Sequence, residues 1–412
     1  MKSEFKNLPS GWKAVRLKEI SSRITRKNQD NKCQNVLTIS AQSGLISQTD
    51  FFNKQVASKD LSSYILLKKG DFAYNKSYSA GYSFGAFKRL NFYDEGVASP
   101  LYIYFKFNDD ICSDFFEFYF DGGQANRQIK DIVQEGARNH GLLNLSIDDF
   151  FNIKICTPPL DEQKKIAEIL STWDEAINLT INLIESKKRF KKALMQNLLT
   201  AKIRFPEFKD EWEEIRLGNI GKSYNGLIGK VAEDFQNGNS NFITYKNIFD
   251  NPKIDINIFE KVKIMEDEEQ NLVKFGDIFF TTSSETPNEV GISSVLLSKC
   301  GILYLNSFCF GFRLNNFEIL APCFAVFYFR SDCFRKQIFK LAQGSTRFNI
   351  SKTEVLNLNI KIPNLDEQQK IAEVLTACDD EINLLNLKLE NLKRQKQGLM
   401  QKLLSGKVGV RV

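Results

Sequence analysis

The sequence predicts a mixed α/β (α+β) fold in which two α/β domains are joined by two long antiparallel coiled-coil helices in a pseudo-two-fold internal repeat. The main observation is that residues 160–170 read LDEQKKIAEIL and recur at 365–375 as LDEQQKIAEVL, an offset of 205. From residue 161 to residue 200, 21 of the 40 positions match, which indicates two similar units that end in the same helix. A length of 412 residues is also too great for one hydrophobic core.

Composition places the chain among globular proteins, with 42% hydrophobic and 26% charged residues. The net charge of +6 permits binding to a polyanion but does not require it. The eight cysteines form no C-x-x-C pair, a pattern typical of free thiols in a reducing compartment. Because the N-terminus lacks the apolar core of a signal peptide and no apolar run approaches a membrane span, we expect a cytoplasmic protein.

Both units begin with the spacing Trp-x-x-x-Arg-Leu-x-x-Ile, at 12–20 and 212–220. We expect Trp12 and Trp212 to pack the first strand of each unit against its core. A Gly-Asp pair follows in each unit and predicts a tight turn, because glycine tolerates positive φ and the Asp side chain bonds to nearby backbone. These pairs are Gly70-Asp71 and Gly276-Asp277.

The rest of each unit is predicted to mix strands with helices. Aromatic and β-branched runs favour strands, and prolines after the last strand prevent its continuation. The predicted strands are 100–107, 151–155, 301–314 and 355–362, and the predicted helices are 113–134 and 321–343. A polar loop containing a glycine precedes each last strand, at 134–139 and 342–347.

The repeated helices carry an apolar seam at alternating steps of four and three residues, as in coiled coils. The predicted seam residues are Ile166, Leu170, Trp173, Ile177, Ile184, Leu194, Leu198, Ile371, Leu375, Ile382, Leu385, Leu389, Leu392, Leu399 and Leu403. Neither helix can bury this stripe alone, so we expect the two helices to pack together. The polar interruptions Lys191, Lys396, Asn178, Asn383 and Thr180 either set the register or lie at the edge of the seam with their polar ends in water.

Motifs for catalysis and cofactor binding are missing. The sequence contains neither the G-x-G-x-x-G spacing of dinucleotide sites nor the G-x-x-x-x-G-K-[ST] loop that cradles phosphates. His140 is the single histidine, so any histidine-based relay or histidine-ligated metal site would depend on it. We therefore expect a binding protein with no catalytic residues, no metal and no cofactor of its own.

The duplicated Leu-Asp-Glu-Gln helix and the two Trp-x-x-x-Arg-Leu domains resemble the specificity (S) subunit of type I restriction-modification systems. This resemblance implies two target recognition domains, at 1–157 and 204–362, and two spacer helices, at 158–203 and 363–412. Each domain then reads one half of a split site on double-stranded DNA. Two modification subunits dock around the helices and methylate adenine with S-adenosylmethionine, while restriction subunits use ATP and Mg to translocate and cleave DNA in defence against phage.

The resemblance also implies a bacterial or archaeal source and a helical spacer that sets the gap between the half-sites. Two domains that read one face of a duplex favour half-sites about one helical turn apart, roughly 34–36 Å. Because the two domains differ outside their framework residues, we expect an asymmetric bipartite site. Two alternatives stay open at this point: a related system with a fused methyltransferase-nuclease partner, and a coiled-coil adaptor that binds proteins.

Polar loop residues that follow the predicted turns are the candidates for DNA contact, because Arg reads guanine, Asn reads adenine, and Lys, Ser and Thr hold phosphates. Such clusters are also ordinary turn residues. In the first domain the candidates are Asn75, Lys76, Ser77, Tyr78, Tyr82, Arg138, Asn139 and His140. In the second they are Thr282, Ser283, Ser284, Glu285, Ser345, Thr346, Arg347, Asn349 and Lys352. We favour Arg138 and Arg347 because each follows a glycine in a polar loop.

The helical spacer can be tested by changing its length. Insertion of one helical turn into only one of the two helices should misalign the seam and abolish assembly or DNA binding, because seam residues would then face polar ones. The matched insertion into both helices should preserve assembly and change the preferred gap, measured by sequencing methylated sites. An unchanged gap after the double insertion would contradict the spacer role.

Overall fold

The structure is a computed structural model that describes residues 8–52, 60–77, 81–133, 143–236 and 238–411. The chain packs as two compact units, one of Met1–Ile181 with Lys388–Val412 and the other of Asn182–Leu387. The predicted boundaries after residues 157, 203 and 362 divide the chain by its sequence repeat, whereas the compact units divide it by packing. Each unit therefore holds one α/β domain with a segment of both long helices.

In its described residues the first unit contains ten strands and five short helices, and one long helix begins in it. The strands are β1 (Lys13–Arg16), β2 (Ser21–Arg23), β3 (Leu37–Ser40), β4 (Gly44–Ser47), β5 (Ile65–Lys68), β6 (Phe72–Asn75), β7 (Ala86–Arg89), β8 (Glu95–Ala98), β9 (Ile103–Phe107) and β10 (Lys154–Thr157). The helices are α1 (Leu17–Ile20), α2 (Gln48–Phe52), α3 (Ser113–Asp121), α4 (Asn126–Ile132), α5 (Ile147–Phe151) and the long α6 (Leu160–Leu198), with a 3-10 turn at Gln29–Asn31.

The centre of the first unit is the antiparallel sheet β2-β9-β6-β7, whose inner face is aromatic. Phe87 of β7 stacks on Phe120 of α3 with ring centroids 4.0 Å apart, and Phe105 of β9 is fully buried beside them. Smaller antiparallel pairs surround this sheet, β3 with β4 and β5 with β8. The first strand pairs with the last, since Val15 of β1 lies opposite Ile155 of β10.

The part of the second unit that the structure describes contains eleven strands, and the other long helix begins in it. The strands are β11 (Glu213–Arg216), β12 (Gly221–Asn225), β13 (Ser240–Ile243), β14 (Glu260–Val262), β15 (Ile278–Thr281), β16 (Ser283–Ser284), β17 (Ser293–Val295), β18 (Leu303–Leu305), β19 (Cys309–Leu314), β20 (Phe348–Asn349) and β21 (Asn359–Ile362). The helices are α7 (Leu217–Ile220), α8 (Tyr245–Asp250), α9 (Pro322–Tyr328), α10 (Asp332–Leu341), α11 (Lys352–Leu356) and α12 (Leu365–Leu403), with a 3-10 turn at Ala232–Phe235.

The second unit repeats the framework of the first but differs around it. Its central antiparallel sheet is β12-β19-β15-β17, and its first strand β11 again pairs with its last strand β21. Beside this sheet lies β14-β13-β18, in which β13 and β18 run parallel. The two-stranded pair β16-β20 sits at the end of β15. The predicted fold class, two mixed α/β domains with an internal repeat, is confirmed.

The predicted turns and tryptophan anchors are confirmed. Gly70 and Gly276 have φ of +91° and +84°, and the Asp after each accepts a hydrogen bond of 2.8 Å from the backbone N–H three residues earlier. Trp12 and Trp212 are buried in the cores of their units. The indole N–H of Trp12 donates to Glu162 of α6 over 3.1 Å, which ties the first strand to the start of the long helix.

Two kinds of predicted element are shorter than expected. The predicted strands at 151–155 and 355–362 lose their first residues to the helices α5 and α11. Ser146 explains the first case, because its hydroxyl caps α5 by accepting a hydrogen bond from the Asp149 N–H. The predicted helices at 113–134 and 321–343 are each two helices, because Gly123 at φ +73° interrupts the first and Ser331 caps α10 in the second.

The start of each long helix packs with the end of the other. In the first unit, Ile166 and Leu170 of α6 share a core with Leu403 and Leu404 at the end of α12. In the second unit, Ile371 and Leu375 of α12 share a core with the last turn of α6. All fifteen predicted seam residues are buried or half-buried. The helices therefore run antiparallel.

The lysines that interrupt the seam form ion pairs with the opposite helix. Lys191 of α6 pairs with Asp379 of α12 in the second unit, and Lys396 of α12 pairs with Asp174 of α6 in the first. Each lysine also lies over a phenylalanine ring of its own unit, 5.4 Å from the Phe327 centroid and 5.1 Å from that of Phe118 respectively. The four charged residues occupy equivalent positions of the repeat, 205 residues apart.

The other polar interruptions behave differently. Asn178 and Asn383 are exposed and so lie off the seam. Thr180 is buried, and its hydroxyl donates to the Ala176 carbonyl within its own helix over 2.7 Å. The register is therefore marked by the paired lysines.

We predict that Asp379→Lys lowers the free energy of unfolding by about 1–2 kcal/mol, because two half-buried ammonium groups would then face each other. Adding Lys191→Asp should restore most of that stability, since the pair is reversed. The measurement is urea unfolding of the full chain. Glu185→Lys is the control, because its exposed pair with Lys188 should change stability by less than about 0.5 kcal/mol. Equal destabilisation of the single and double variants would contradict this assignment.

Candidate nucleic-acid interface

A strand pair in the second unit joins two loop segments that are far apart in sequence. Ser283 of β16 lies opposite Asn349 of β20, and Ser284 lies opposite Phe348. Both segments were predicted from the sequence as DNA-contacting, and the fold places them side by side. Tertiary pairing thus converts two polar loops into one surface.

The loop before β20 is closed and exposed at its tip. Gln343 and Asn349 exchange backbone hydrogen bonds of 2.9 and 2.8 Å, so the residues between them form a short closed loop. Gly344 has φ of +134°, and a Cβ there would come within 2.1 Å of the Arg347 carbonyl oxygen. Ser345, Thr346 and Arg347 are exposed at the tip.

Arg347 is held in place by one end of its guanidinium group. Its Nε donates to the Ser283 hydroxyl over 2.8 Å. Within the part of the chain that the structure describes, its two terminal nitrogens have no hydrogen-bond partner. An anchored guanidinium with free donors is suited to bidentate recognition of an acceptor pair, such as guanine O6 and N7 or a phosphate.

A cleft of about 340 Å³ lies beside this strand pair, and we call it the aromatic cleft. Its lining consists of Tyr245, Phe249, Ser283, Ser284, Glu285, Glu289, Phe308 and Arg347. Tyr245 and Phe249 stack with ring centroids 6.0 Å apart, and Phe308 is 57% exposed. Two carboxylates and one guanidinium among aromatic rings offer both acceptors and donors to a flat polar ligand.

Hydrogen bonds between lining residues stabilise the base of the aromatic cleft, which we call its floor. Tyr245 donates its hydroxyl to the Ser283 carbonyl over 2.9 Å, and Ser284 donates to Glu289 over 3.1 Å. Desolvation by burial raises the pKa of Tyr245, so that this hydroxyl stays a donor at neutral pH. The floor is therefore fixed before any ligand arrives.

Four residues of the aromatic cleft were missed by sequence reasoning, namely Tyr245, Phe249, Glu289 and Phe308. The first two lie four residues apart on α8, which Thr244 caps by accepting from the Asn247 N–H over 3.1 Å. The Thr-Tyr-Lys-Asn sequence carries that capping signal, but nothing in it indicates that the helix faces β16.

Two other candidates of the second unit lie outside the aromatic cleft. Thr282 faces Phe308, where its hydroxyl donates to the backbone carbonyl over 2.7 Å. Lys352 donates its ammonium group to the Asn225 side chain at the end of β12. Their contacts are structural in this state.

A buried charged network aligns the strand that leads to the aromatic cleft. Arg313 of β19 donates to both carboxylate oxygens of Asp277 over 2.8 and 2.7 Å, and Tyr224 of β12 donates to the same carboxylate over 2.6 Å. Asp277 directly precedes β15, which continues into β16. Burial raises the pKa of Tyr224 well above its usual value, so the phenol remains a donor.

The described residues of the first unit that were predicted to contact DNA make contacts of a different kind. Asn75 is almost buried, and its side-chain oxygen accepts from the Ser77 N–H over 2.9 Å. The Lys76 carbonyl accepts from Leu143 N–H over 2.9 Å, while the Tyr82 ring lies 5.0 Å beneath the ammonium group of Lys88. The remaining candidates Tyr78, Arg138, Asn139 and His140 lie outside the described residues.

The described residues carry neither a metal cluster nor a membrane span. Within these ranges, no group of three or more His, Cys, Asp or Glu side chains could hold a metal ion. No helix there is long and apolar enough to cross a membrane.

We predict that Gly344→Ala distorts the closed loop, because alanine at φ +134° is strained and its Cβ would collide with the Arg347 carbonyl. DNA affinity should fall several-fold in a gel-shift assay, with little change in melting temperature because the loop is exposed. Gly301→Ala is the matched control, since a Cβ at Gly301 has no neighbour within 4 Å. Equal affinities of the two variants would contradict a role for this loop.

Comparison with known proteins identifies the family. The family model for the type I restriction modification DNA specificity domain matches twice, over residues 9–186 and 209–394. The MjaVIII type I restriction enzyme specificity subunit of Methanocaldococcus jannaschii is 26% identical over 334 residues, 77% of this chain and 75% of the relative.

Two solved structures share the fold at 18% identity. The HsdS subunit from Thermoanaerobacter tengcongensis has a TM-score of 0.57 over 99% of this chain and 100% of its own. A chain from a structure of complex assembly and conformational transition of the type I R-M system has a TM-score of 0.61, over 98% and 100%. The chain therefore belongs to the type I restriction-modification DNA specificity family and contains two of its domains.

Proposed function

We propose that each unit of this type I specificity subunit reads one half of an asymmetric bipartite site on double-stranded DNA. The observation that supports this proposal is the aromatic cleft of the second unit. Two polar segments pair there, and the terminal nitrogens of the Arg347 guanidinium are free to donate hydrogen bonds. The family match does not favour the two alternatives raised by the sequence, a fused methyltransferase-nuclease partner and a protein-binding adaptor.

The chemistry of the aromatic cleft suits the edge of a base pair. Arg347 can donate to guanine O6 and N7, while Glu285 can accept from the amino group of cytosine. The exposed hydroxyls of Ser345 and Thr346 at the loop tip suit phosphate oxygens. We therefore propose that the second half-site contains a G·C pair contacted by Arg347.

The two half-sites should differ because the two units have different side chains at the positions predicted to contact DNA. Residues 75–77 read Asn-Lys-Ser, whereas 281–283, the corresponding positions after the Gly-Asp turn, read Thr-Thr-Ser. Beside the central sheet, β13 and β18 form a parallel strand pair in the second unit, whereas the described part of the first unit has an isolated parallel bridge there, between Val36 and Val97. Different side chains at corresponding positions recognise different bases, so we propose a target without palindromic symmetry.

Partner subunits supply the chemistry in this proposal. Two modification subunits dock around α6 and α12 and methylate adenine with S-adenosylmethionine, and restriction subunits use ATP and Mg to translocate and cleave. The chain itself binds no cofactor and catalyses no step. It works in the cytoplasm of a bacterium or archaeon, and the spacing of the two half-sites is set by the helix pair.

We predict that Arg347→Ala weakens binding to the target by roughly 1–3 kcal/mol and relaxes the preference at one base pair of one half-site. Methylome sequencing of a host that carries the subunit with its modification partner would measure both half-sites and the gap. Arg347→Lys is the control variant, because it keeps the charge but loses bidentate geometry, and it should relax the same base pair.

The outcome that would contradict the aromatic-cleft assignment is an unchanged methylome in a normally folded Arg347→Ala variant. A single continuous or palindromic target for the wild-type complex would contradict the proposal of two different half-sites. The two results are independent of each other.

A further inference from the structure

A second concave surface lies in the same unit, between the last third of α6 and the first turn of α10. We call it the basic cleft; it has a volume of about 710 Å³, and its charged lining residues include Lys188, Lys191, Lys192, Lys202, Arg330 and Lys336. We propose that the basic cleft binds backbone phosphates of the DNA duplex whose bases the aromatic cleft reads. This inference rests on the proposed function and adds a sequence-independent contact to it.

The charges of the basic cleft are unbalanced. Its six cations face two carboxylates, Asp332 and Asp379. Asp379 is already paired with Lys191, and Asp332 accepts from the Gln196 side chain over 2.8 Å. Because the cations outnumber the carboxylates by four, the cleft carries a positive field, which attracts anions.

Three of the cations are uncommitted. Within the described residues, Lys192, Lys202 and Lys336 have neither an ion pair nor a side-chain hydrogen bond. Arg330, in contrast, is a structural cation whose guanidinium donates to backbone carbonyls that include that of Ile248, over 2.7 Å. Burial lowers the pKa of Arg330 to about 10, which still leaves it charged at neutral pH.

The lining favours phosphates over nucleosides or apolar ligands. No aromatic side chain lines the basic cleft among the described residues, so a base would find no ring on which to stack. Ammonium groups act as point charges that bind phosphate oxygens without demanding one geometry. The cleft can therefore hold a phosphate chain without reading its sequence.

The length of the basic cleft favours several successive phosphates. Lys188 and Asn197 both line it and lie nine positions apart in α6, about 13 Å along the helix axis. Along one DNA strand, successive base pairs advance by about 3.4 Å, so this length spans several nucleotides. A strand of duplex DNA matches it better than a single phosphate group does.

The basic cleft is connected to the aromatic cleft within the second unit. Arg335, next to Lys336 in α10, donates to the backbone carbonyls of Gly291 and Val290 over 2.6 and 2.7 Å. These carbonyls directly follow Glu289, which lines the aromatic cleft. The hydrogen bonds of Arg335 thus link α10, which contributes to the basic cleft, to the segment that follows a lining residue of the aromatic cleft.

The test uses the full chain assembled with its modification subunit, and Lys192→Ala/Lys336→Ala as the variant. Affinity for a target duplex and for a random duplex is measured over a range of salt concentrations. We expect both affinities to fall by the same factor and the slope of log K against log salt to become shallower by about 0.9 for each phosphate that the variant no longer binds. The ratio of specific to random affinity should not change.

Lys164→Ala/Arg189→Ala is the matched control, because it also removes two exposed positive charges, both of them on α6, and neither residue lines the basic cleft. Its salt slope should equal that of the wild type. Melting temperatures of both variants check that folding is intact, and Lys192→Gln/Lys336→Gln, which preserves side-chain bulk, should repeat the effect.

An unchanged slope in a folded variant, or a weakening restricted to the target duplex, would overturn the phosphate assignment. So would release of the modification subunit with unchanged DNA affinity, since the cleft would then hold an acidic protein segment. Calorimetric binding of inorganic triphosphate that the variant abolishes, with an unchanged DNA slope, would assign the site to a free phosphate ligand instead. A wild-type complex that binds target and random duplexes equally well would contradict the proposed function. A wild-type complex that prefers the target, together with an unchanged salt slope in the Lys192→Ala/Lys336→Ala variant, would overturn only the phosphate assignment.

Discussion

The apolar stripe of the two long helices is the constraint on which the rest of the structure depends. A helix of 39 residues with such a stripe cannot stay exposed in water, because each buried leucine is worth about 1.5–3 kcal/mol relative to exposure. The structure resolves this by placing the start of each helix and the end of the other in one core. Ile166 with Leu403 and Ile371 with Leu198 show the same solution twice. Every unit is therefore completed by a segment from the other half of the sequence.

The lysine–aspartate pairs fix the register in which the two long helices bury their apolar stripes. Apolar residues alone allow a helix pair to slide by a heptad, whereas a half-buried charge accepts only the register that brings its partner near. Lys191 meets Asp379, and Lys396 meets Asp174, each beside a phenylalanine of the local domain. Because lysine and aspartate recur at equivalent positions, the same register is specified in both units.

The candidate interface depends on a chain of contacts that begins in the buried sheet. Arg313 and Tyr224 hold Asp277 by hydrogen bonds, and β15 connects Asp277 to the segment that contains Ser283. Ser283 in turn orients Arg347 and accepts a hydrogen bond from Tyr245 at its carbonyl. Arg347, which the sequence predicted as a residue of a polar loop, is thus oriented as a hydrogen-bond donor by partners that are distant in the sequence. The basic cleft extends this arrangement, since Arg335 links α10 to the carbonyls after Glu289.

The sequence by itself determined the repeat, the helix seam, the Gly-Asp turns and the family resemblance, because each of these is periodic or local. Residues 283–285 and 347 were also identifiable, as polar loop residues beside turn signals. Only the tertiary structure decided that these loops pair as β16 and β20 and that Tyr245, Phe249 and Phe308 close a cleft around them. The helices that replace the early residues of 151–155 and 355–362 follow Ser146 and Ser351, and the cap by Ser146 is a local contact. The contacts that form the aromatic cleft, in contrast, join residues far apart in the chain, and no local pattern of side chains encodes which of many polar loops will become neighbours.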